Sequence, residues 1–322
     1  MIYLNEKHIK QVGIDWDESI EVIGKAVKCI KENDFSQPVK PYLRFRNLNN
    51  RIIAMPAFIG KEFNMAGIKW IASFPKNIEK NIPRAHSILV LNNADTGEVV
   101  AVINTTLLSM IRTASVSGLM LKQYNKLRPL KKFNLGIVGW GPIGQYHFDM
   151  ATKILGSEIS KIYLYDLREI NKNSINSSFK DRVIITKSWK DAYRDTDVFI
   201  TCTVSKAPYI NKKPKEGSLI LNVSLRDFKT EIYEHVKNGI IVDDWNEVCR
   251  EKTDIEMFCK EKGLRKENTQ SIVDVVCDNG LQKISSRNTT MFNPMGMAVF
   301  DIATGAYYLK KAKEKNVGQV LK

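Results

Sequence analysis

The ten residues Leu135–Gly144, LGIVGWGPIG, decide the fold. The first four form an apolar run with the composition of a buried β-strand, and the helical pattern that follows reaches Leu155. Between them lie Gly139, Gly141 and Gly144, spaced as G-x-G-x-x-G. In a dinucleotide-binding fold the first glycine permits a tight turn, the second lets the backbone approach a pyrophosphate, and the third lets helix and strand pack closely. The stretch therefore predicts a nucleotide-binding strand, turn and helix.

A carboxylate follows at the distance that the dinucleotide motif requires. The next apolar strand, Lys161–Tyr165, ends directly before Asp166, which lies 22 positions after Gly144 (166 − 144). A carboxylate there accepts hydrogen bonds from ribose hydroxyls and repels a 2′-phosphate, so the sequence favours NAD over NADP. Arg168 is close enough to weaken this preference. The alternative is that the glycines serve only a tight turn.

The segment from Phe133 to about Met291 alternates apolar strands with amphipathic helical stretches, which is typical of a doubly wound parallel sheet in an α/β protein. The expected strands are Leu135–Val138, Lys161–Tyr165, Arg182–Ile185, Val198–Cys202, Leu219–Val223 and Ile240–Val242. Ligands collect at the carboxyl ends of such strands, and the fourth expected strand ends in a segment that carries Thr201, Thr203 and Ser205. These hydroxyls contact a cofactor or, alternatively, cap local backbone groups.

The residues before this segment predict a second, mostly antiparallel sheet. Short runs rich in Val and Ile, separated by turn formers, predict strands at Ile2–Leu4, Arg51–Met55, Gly67–Ser73, Ser87–Leu91 and Val99–Asn104. A helix is expected over residues 107–121. A last helix follows Pro294, and its apolar face suits packing on either domain.

Charge and cysteine content restrict the expected partners. The 322 residues carry 49 Lys and Arg against 35 Asp and Glu, a formal net charge of +14. The lysines are spread along the chain without a basic, aromatic-rich helix, so no nucleic-acid partner is expected. No leader-like start and no membrane-spanning apolar run is evident, so we expect a cytoplasmic protein without membrane contact. The five cysteines include no C-x-x-C pair, so neither a disulfide nor a metal site is expected.

Several uncommon strings resemble the ornithine cyclodeaminase and mu-crystallin family over nearly the whole chain. They are Gly67–Trp70, Ser109–Ala114, the glycine motif, Thr201–Ser205 and Gly296–Ala298 ahead of Asp301. The resemblance implies a homodimer in which residues 1–119 with 297–322 form an α+β substrate-binding and dimerisation domain, and residues 120–296 form an NAD-binding Rossmann domain. It implies NAD(H) in the cleft between them. The expected cofactor contacts are Gly139, Gly141, Pro142, Ile143, Gly144, Asp166, Thr201, Thr203, Ser205 and Met297.

The same resemblance implies that Arg44, Lys69 and Arg112 bind a substrate carboxylate. The residues themselves favour Arg112, the only charge in the apolar and small run from Thr105 to Leu121, since a guanidinium there needs an anion or a structural salt-bridge partner. Lys69 lies on an expected strand and points into a cleft or to solvent. Arg84 is a further candidate for a carboxylate, or a solvated arginine.

The chain departs from the family at one catalytic position. Cyclodeaminases carry an acidic residue in a Gly-Asp-x-Pro-Gly-like turn after the fifth Rossmann strand, whereas this chain has Asn222–Asp227, NVSLRD. Asp227 is then either a proton-transfer residue or an exposed loop aspartate. The missing proline and glycine count against ornithine cyclisation.

Four further strings, Gln37–Arg44, Arg51–Pro56, Val242–Trp245 and Asn293–Ala298, resemble a dehydrogenase branch of the family whose amino-acid substrate carries three carboxylates. The first hypothesis is therefore NAD-dependent oxidation of a secondary amine followed by hydrolysis of the imine, with Lys69 or Asp227 transferring protons. Two alternatives stay open: a lyase that recycles NAD within each turnover, and a non-catalytic NAD(P)H-dependent binding protein.

Overall fold

The computed structural model describes all residues, 1–322. Its strands are β1 (Ile2–Asn5), β2 (Phe35–Ser36), β3 (Tyr42–Leu43), β4 (Arg51–Ile59), β5 (Met65–Ser73), β6 (Ala85–Asn93), β7 (Val99–Asn104), β8 (Phe133–Val138), β9 (Ile159–Tyr165), β10 (Val183–Ile185), β11 (Val198–Thr201), β12 (Leu219–Asn222), β13 (Ile240–Val242), β14 (Gln270–Ser271), β15 (Thr290–Asn293) and β16 (Gln319–Val320). Its α-helices are α1 (Glu6–Val12), α2 (Trp16–Lys31), α3 (Leu107–Leu127), α4 (Pro142–Leu155), α5 (Trp189–Tyr193), α6 (Tyr233–Val236), α7 (Trp245–Val248), α8 (Asp254–Lys262), α9 (Ile272–Cys277) and α10 (Ala298–Glu314).

The chain divides into two compact units. The first contains Met1–Thr113 with Gly296–Lys322, and the second contains Ala114–Met295, so that the division falls within α3. The domain boundaries expected after residues 119 and 296 stay predictions. None of the helices has the length and hydrophobicity of a membrane span.

The first unit is built on an eight-stranded sheet with the order β16-β1-β7-β6-β5-β4-β2, and β3 pairs with β4. All pairs are antiparallel except β1 with β7, which confirms the predicted, mostly antiparallel sheet. Strand β4 continues past the predicted end at Met55 to Ile59. Its proline, Pro56, lies between the stretch that pairs with β3 and the stretch that pairs with β2. The missing N–H of proline therefore interrupts no ladder there.

One face of this sheet is covered by α10, which settles where the last helix packs. Met55, Ile59, Leu89 and Leu91 lie on that face and are at most 4% exposed. A Cβ at Gly305 of α10 would overlap the side chain of Leu89, so helix and sheet approach closely. The helix completes the core of the first unit.

The second unit confirms the predicted doubly wound sheet, so the protein is of the α/β class with a Rossmann unit and an α+β unit. Eight strands pair in the order β10-β9-β8-β11-β12-β15-β13-β14, and every pair is parallel. The apolar strands β8, β11 and β12 are almost completely buried, as a sheet covered on both faces requires.

Two strands of this sheet were absent from the sequence prediction. Strand β15 inserts between β12 and β13, which were expected to be the last two strands, and the two-residue β14 forms the edge beyond β13. The four residues of β15, Thr290–Asn293, include two polar side chains, yet all four are buried. A run this short carries too little periodicity to be distinguished from a loop.

Candidate functional site

The glycine loop lies where the order of the parallel strands reverses, between β8 and β11. Ligands of doubly wound sheets bind at this point, beyond the carboxyl ends of the strands. Gly139 follows β8 with φ +96°, and a Cβ there would collide with the backbone of Cys202. A Cβ at Gly144 would overlap the carbonyl oxygen of Gly139. Close packing of the loop against β11 and α4 therefore requires glycine at both positions.

The middle glycine of the motif borders open space. A Cβ at Gly141 would meet only Arg168 Nη2, at 4.0 Å. Gly141 is the N-cap of α4, no side chain caps the helix, and Pro142 and Ile143 form its first positions. Uncapped backbone amides at a helix N-terminus, together with the helix dipole, suit a pyrophosphate. The loop therefore fits a dinucleotide by its backbone.

Asp166 stands at the end of β9 beside this loop. Its carboxylate accepts hydrogen bonds from the backbone N–H groups of Trp140 (2.7 Å) and Arg168 (2.8 Å), and Arg168 Nε lies 3.3 Å from Oδ1. Partial burial raises the pKa of Asp166, but these two N–H groups and the Arg168 guanidinium outweigh it and lower the pKa below its usual value. The residue is therefore an anion at neutral pH.

A pocket of about 300 Å³ adjoins Asp166. The glycine loop forms one wall, and residues 168–174 contribute Arg168, Glu169, Asn171 and Ser174 to the other. Trp140 Nε1 donates a hydrogen bond to Ser174 Oγ at 2.9 Å and so joins the two walls. The anionic rim of the pocket favours a ligand with hydroxyl donors over one with a further phosphate.

The hydroxyls after β11 have protein partners. Thr201 Oγ1 is buried and donates to Asn222 Oδ1 (3.0 Å), Thr203 Oγ1 donates to Asp227 Oδ1 (2.6 Å), and Ser205 Oγ donates to the carbonyl of Ala207 (2.6 Å). The alternative of local capping therefore describes Ser205 and also Thr203, whose Oγ1 accepts from the N–H of Ser205 at 3.2 Å, whereas Thr201 bonds other side chains. Their contact with a cofactor stays a prediction.

Asp227 is fully buried, so its interpretation as an exposed loop aspartate is wrong. It accepts hydrogen bonds from Thr203 Oγ1 and, at 3.3 Å, from the hydroxyl of Tyr209. Burial raises the pKa of Asp227, although the hydrogen bonds from Thr203 and Tyr209 oppose the shift. A buried carboxyl with a raised pKa near the strand ends has the properties of a proton-transfer group.

A second group of ionisable residues lies inside the first unit, where two cations share one carboxylate. Lys69 Nζ is 2.8 Å from Asp301 Oδ2, and Arg112 Nε is 2.9 Å from Asp301 Oδ1. These three side chains come from β5, α3 and α10, and none of the residues is more than 7% exposed. We call Lys69, Arg112 and Asp301 the buried ion cluster. Lys69 therefore does not point to solvent.

Only one nitrogen of Arg112 is used by the protein. Its Nε bonds Asp301, while its two terminal nitrogens donate no hydrogen bond. Gly296, at φ +87°, precedes α10, and a Cβ there would lie 2.8 Å from Arg112 Nη1. The expected structural salt bridge is thus present. It does not use the edge of the guanidinium that the two terminal nitrogens form, and such an edge can bind a carboxylate with two parallel hydrogen bonds.

The electrostatics of the cluster favour an anionic ligand. Burial, supported by the positive charges of Arg112 and Lys40 and opposed by Asp301, lowers the pKa of Lys69 to about 7. Asp301 responds in the opposite way: burial raises its pKa, but the charges of Arg112 and Lys69 outweigh burial and lower it. A small cavity lined by Ser87, Thr105 and Ser109 borders Lys69 and Asp301.

Not every predicted substrate residue joins this cluster. Arg44 is exposed, donates from Nη1 to the carbonyl of Leu48 (2.8 Å) and lies over the ring of Tyr42. Arg84 is half-buried just before β6. Met297, predicted as a cofactor contact, is buried at the start of α10 and belongs to the first unit, whereas the glycine loop belongs to the second.

Sequence reasoning missed two residues of this region. Lys40 is 3% exposed and donates from Nζ to the carbonyl of Gly296 at 2.8 Å. No periodicity distinguishes it from Arg44 or Arg46 in the same basic segment. Asp301 had a signal, because it is the only charge between Gly296 and Leu309, and the argument that selected Arg112 applies to it equally.

Known proteins with similar sequences cover the chain from end to end. N-((2S)-2-amino-2-carboxyethyl)-L-glutamate dehydrogenase of Staphylococcus aureus is 32% identical over 339 aligned positions, which cover 100% of this chain and 98% of the relative.

Two solved structures share the fold. The Delta(1)-pyrroline-2-carboxylate reductase of Thermococcus litoralis, in complex with NADH and L-proline, matches with a TM-score of 0.87 at 22% identity and covers 100% of both chains. An archaeal alanine dehydrogenase dimer with bound NAD matches with a TM-score of 0.85 at 24% identity, covering 100% of this chain and 99% of the other. The family model for ornithine cyclodeaminase and mu-crystallin matches residues 6–316. The chain therefore belongs to the ornithine cyclodeaminase/mu-crystallin family.

Proposed function

We propose that the protein is an NAD-dependent dehydrogenase that converts N-(2-amino-2-carboxyethyl)-L-glutamate and water to 2-oxoglutarate and L-2,3-diaminopropionate. The observation that carries the proposal is the buried ion cluster, in which Arg112 keeps two nitrogens for a substrate carboxylate. The full-length similarity to the Staphylococcus aureus dehydrogenase supports this substrate. NAD as the cofactor and oxidoreduction as the reaction class are supported more broadly, by the NAD-bound structures of the same fold.

The second unit holds the cofactor through its backbone and one carboxylate. NAD+, when bound, supplies the acceptor for the hydride that leaves the glutamate Cα. The backbone N–H groups of Ile143 and Gly144 at the start of α4 would donate to the pyrophosphate, and Gly139 and Gly141 would let the chain approach it. Asp166 accepts hydrogen bonds from the ribose hydroxyls.

The first unit anchors the substrate by its charge. Arg112 binds one carboxylate with its two terminal nitrogens, while Lys40 adds positive charge in a region where burial strengthens electrostatic attraction. The proposed substrate carries three carboxylates, whereas ornithine carries one, so an excess of cations favours the former. Arg44 and Arg84 are the candidates for the remaining carboxylates.

Proton transfer is assigned to Lys69, with Asp227 as the second candidate. With a pKa of about 7, Lys69 is partly neutral at physiological pH and accepts a proton as the secondary amine becomes an imine. Water then adds to the imine carbon, and the carbon–nitrogen bond breaks to release 2-oxoglutarate and 2,3-diaminopropionate. In sum, substrate, water and NAD+ give the two products, NADH and one proton.

The stoichiometry of the products tests the proposal. With N-(2-amino-2-carboxyethyl)-L-glutamate and NAD+, we expect NADH, 2-oxoglutarate and 2,3-diaminopropionate in equal amounts. A cyclodeaminase returns its hydride to the cyclic imine, so proline and ammonia from ornithine without net NADH would replace this proposal by a lyase. Absence of turnover with either compound, despite measurable NADH binding, would favour the binding protein.

We also propose that the chain forms a homodimer through the sheet face of the first unit opposite to α10. Cross-strand pairs on that face join Ile52 to Ala72, Ala54 to Trp70 and Pro56 to Ile68, and all are partly exposed, with Trp70 at 41%. A continuous apolar face of this kind is typical of a protein interface.

Sedimentation of single-site variants tests the dimer. We expect a dimer for the unmodified protein and a monomer for Trp70→Glu, because a carboxylate cannot be desolvated at an apolar interface. Ile184→Glu is the matched control: Ile184 is 40% exposed, on an edge strand of the second unit, and this variant stays dimeric. A monomeric unmodified protein would refute the assignment.

A further inference from the structure

Two of the five cysteines lie in contact. Cys249 Sγ is 3.6 Å from Cys259 Sγ, although ten positions separate them in the sequence. Cys249 is the residue that follows α7, Cys259 lies in α8, and both are partly exposed. The sulfurs are close enough to bond after a shift of about 1.5 Å, since a disulfide measures about 2.05 Å.

We propose that Cys249 and Cys259 are a redox modification site, at which a low-molecular-weight disulfide such as glutathione disulfide converts the two thiols into a reversible intrachain disulfide. The disulfide itself does not depend on the proposed dehydrogenase activity, whereas its effect on turnover rests on that proposal. It also departs from the sequence expectation that all five cysteines stay reduced.

Burial raises the pKa of both thiols, and the nearby carboxylate of Glu256 adds to the shift. Either sulfur can donate in the hydrogen bond between them, so the contact itself does not distinguish their roles. The thiolate is the form that attacks, and we take Cys259 as the attacking group and Cys249 as the resolving group. The exchange balances equally with the two roles reversed.

The chemistry balances in two exchanges. The Cys259 thiolate attacks one sulfur of glutathione disulfide, breaks its S–S bond and expels one glutathione thiolate, which leaves a mixed disulfide on Cys259. The Cys249 thiol then loses its proton to water and attacks Cys259 Sγ, which expels the second glutathione. The protein dithiol loses two electrons, and glutathione disulfide gains them.

Formation of the disulfide acts on α8, and α8 contacts the segment that leads to Asp227, a candidate catalytic residue. Asp254, the first residue of α8, accepts a hydrogen bond from Asn222 Nδ2 (2.9 Å) and donates its own N–H to the carbonyl of Leu225 (2.7 Å). Both contacts join α8 to the segment Asn222–Asp227. A displacement of α8 toward Cys249 therefore moves the support of Asp227.

Mass spectrometry of the intact protein tests the site. After treatment with glutathione disulfide we expect unmodified protein to lose two hydrogen atoms in mass and to regain them with a thiol reductant. Cys249→Ser and Cys259→Ser should each accumulate one glutathione on the remaining thiol of the pair, because the resolving thiol is absent. Cys277→Ser, which replaces another partly exposed cysteine of the same unit, should behave as the unmodified protein.

Each outcome decides the proposal. Two persistent thiols after prolonged oxidation, or a disulfide that includes Cys277, would overturn it, and neither result depends on enzyme activity. In the turnover assay, we expect oxidised protein to be several-fold slower than reduced protein, while the double variant Cys249→Ser/Cys259→Ser is insensitive to the oxidant. A complete disulfide with unchanged turnover would overturn the link to Asp227.

Discussion

The glycine loop of the second unit and the buried ion cluster of the first unit offer charged ligands opposite kinds of partner. The loop uses backbone groups of consecutive residues, and its glycines provide conformational freedom and space. The cluster uses side chains of Lys69, Arg112 and Asp301, which lie on three elements far apart in the sequence. Substitutions should therefore affect the loop through steric exclusion and the cluster through lost charge and geometry.

The largest effect is expected at the glycine loop. Gly144→Ala places a Cβ on the Gly139 carbonyl, so we expect NAD affinity to fall by more than about 100-fold and the protein to lose about 1–3 kcal/mol of stability, as overpacked sites do. Gly141→Ala is the matched control, because the added Cβ meets only Arg168. We expect this variant to bind NAD more weakly without a lower Tm. Titration with NAD and thermal unfolding separate the two effects. Equal Tm values for both variants would contradict the steric argument.

The next effect concerns the ion cluster. Arg112→Lys keeps the charge but loses the planar two-point contact, so kcat/KM should fall roughly 10- to 100-fold while NAD affinity is unchanged. Arg46→Lys is the control outside the cluster, and we expect a change of less than about threefold there because the side chain is exposed, has no proposed role in binding and keeps its charge. Steady-state kinetics with NAD titrations test both. A fold defect with lost NAD binding in Arg112→Lys would mean that the salt bridge to Asp301 is purely structural.

A smaller, graded effect is expected from pH. Because the neutral amine of Lys69 is the proposed base, kcat/KM should rise about tenfold per pH unit below 7 and level off above it. Lys69→Arg, whose guanidinium stays protonated, should be far slower and should lose the inflection. A wild-type profile that is flat between pH 6 and 8 would assign proton transfer elsewhere, with Asp227 as the next candidate.

The smallest effect is expected in cofactor choice. Wild-type protein should use NAD better than NADP, and Asp166→Ser should reduce this preference by about tenfold or less, because the ribose contact is one of many and Arg168 already offsets part of the carboxylate's charge. The ratio of kcat/KM for the two cofactors measures the change. If wild-type protein preferred NADP, the role given to Asp166 would be wrong.

The cysteine pair resembles the buried ion cluster, because tertiary packing brings its two side chains together. Neither thiol belongs to a sequence motif, and their spacing predicted no disulfide, yet the turn between α7 and α8 brings the sulfurs to 3.6 Å. The contact depends on how two short helices pack against the core of the second unit, and no local pattern encodes such packing.

The sequence alone determined the Rossmann strand, turn and helix, the position of Asp166, and the antiparallel character of the first unit, because each rests on short-range steric and periodic rules. Arg112 was also recognisable, since a lone charge in an apolar run requires a partner. The tertiary structure alone decided the identity of that partner, Asp301, and placed Lys40 rather than Arg44 beside Gly296. It also buried Asp227 and inserted β15 into the sheet. These outcomes depend on contacts between segments up to 256 residues apart, and local propensity carries no information about such contacts.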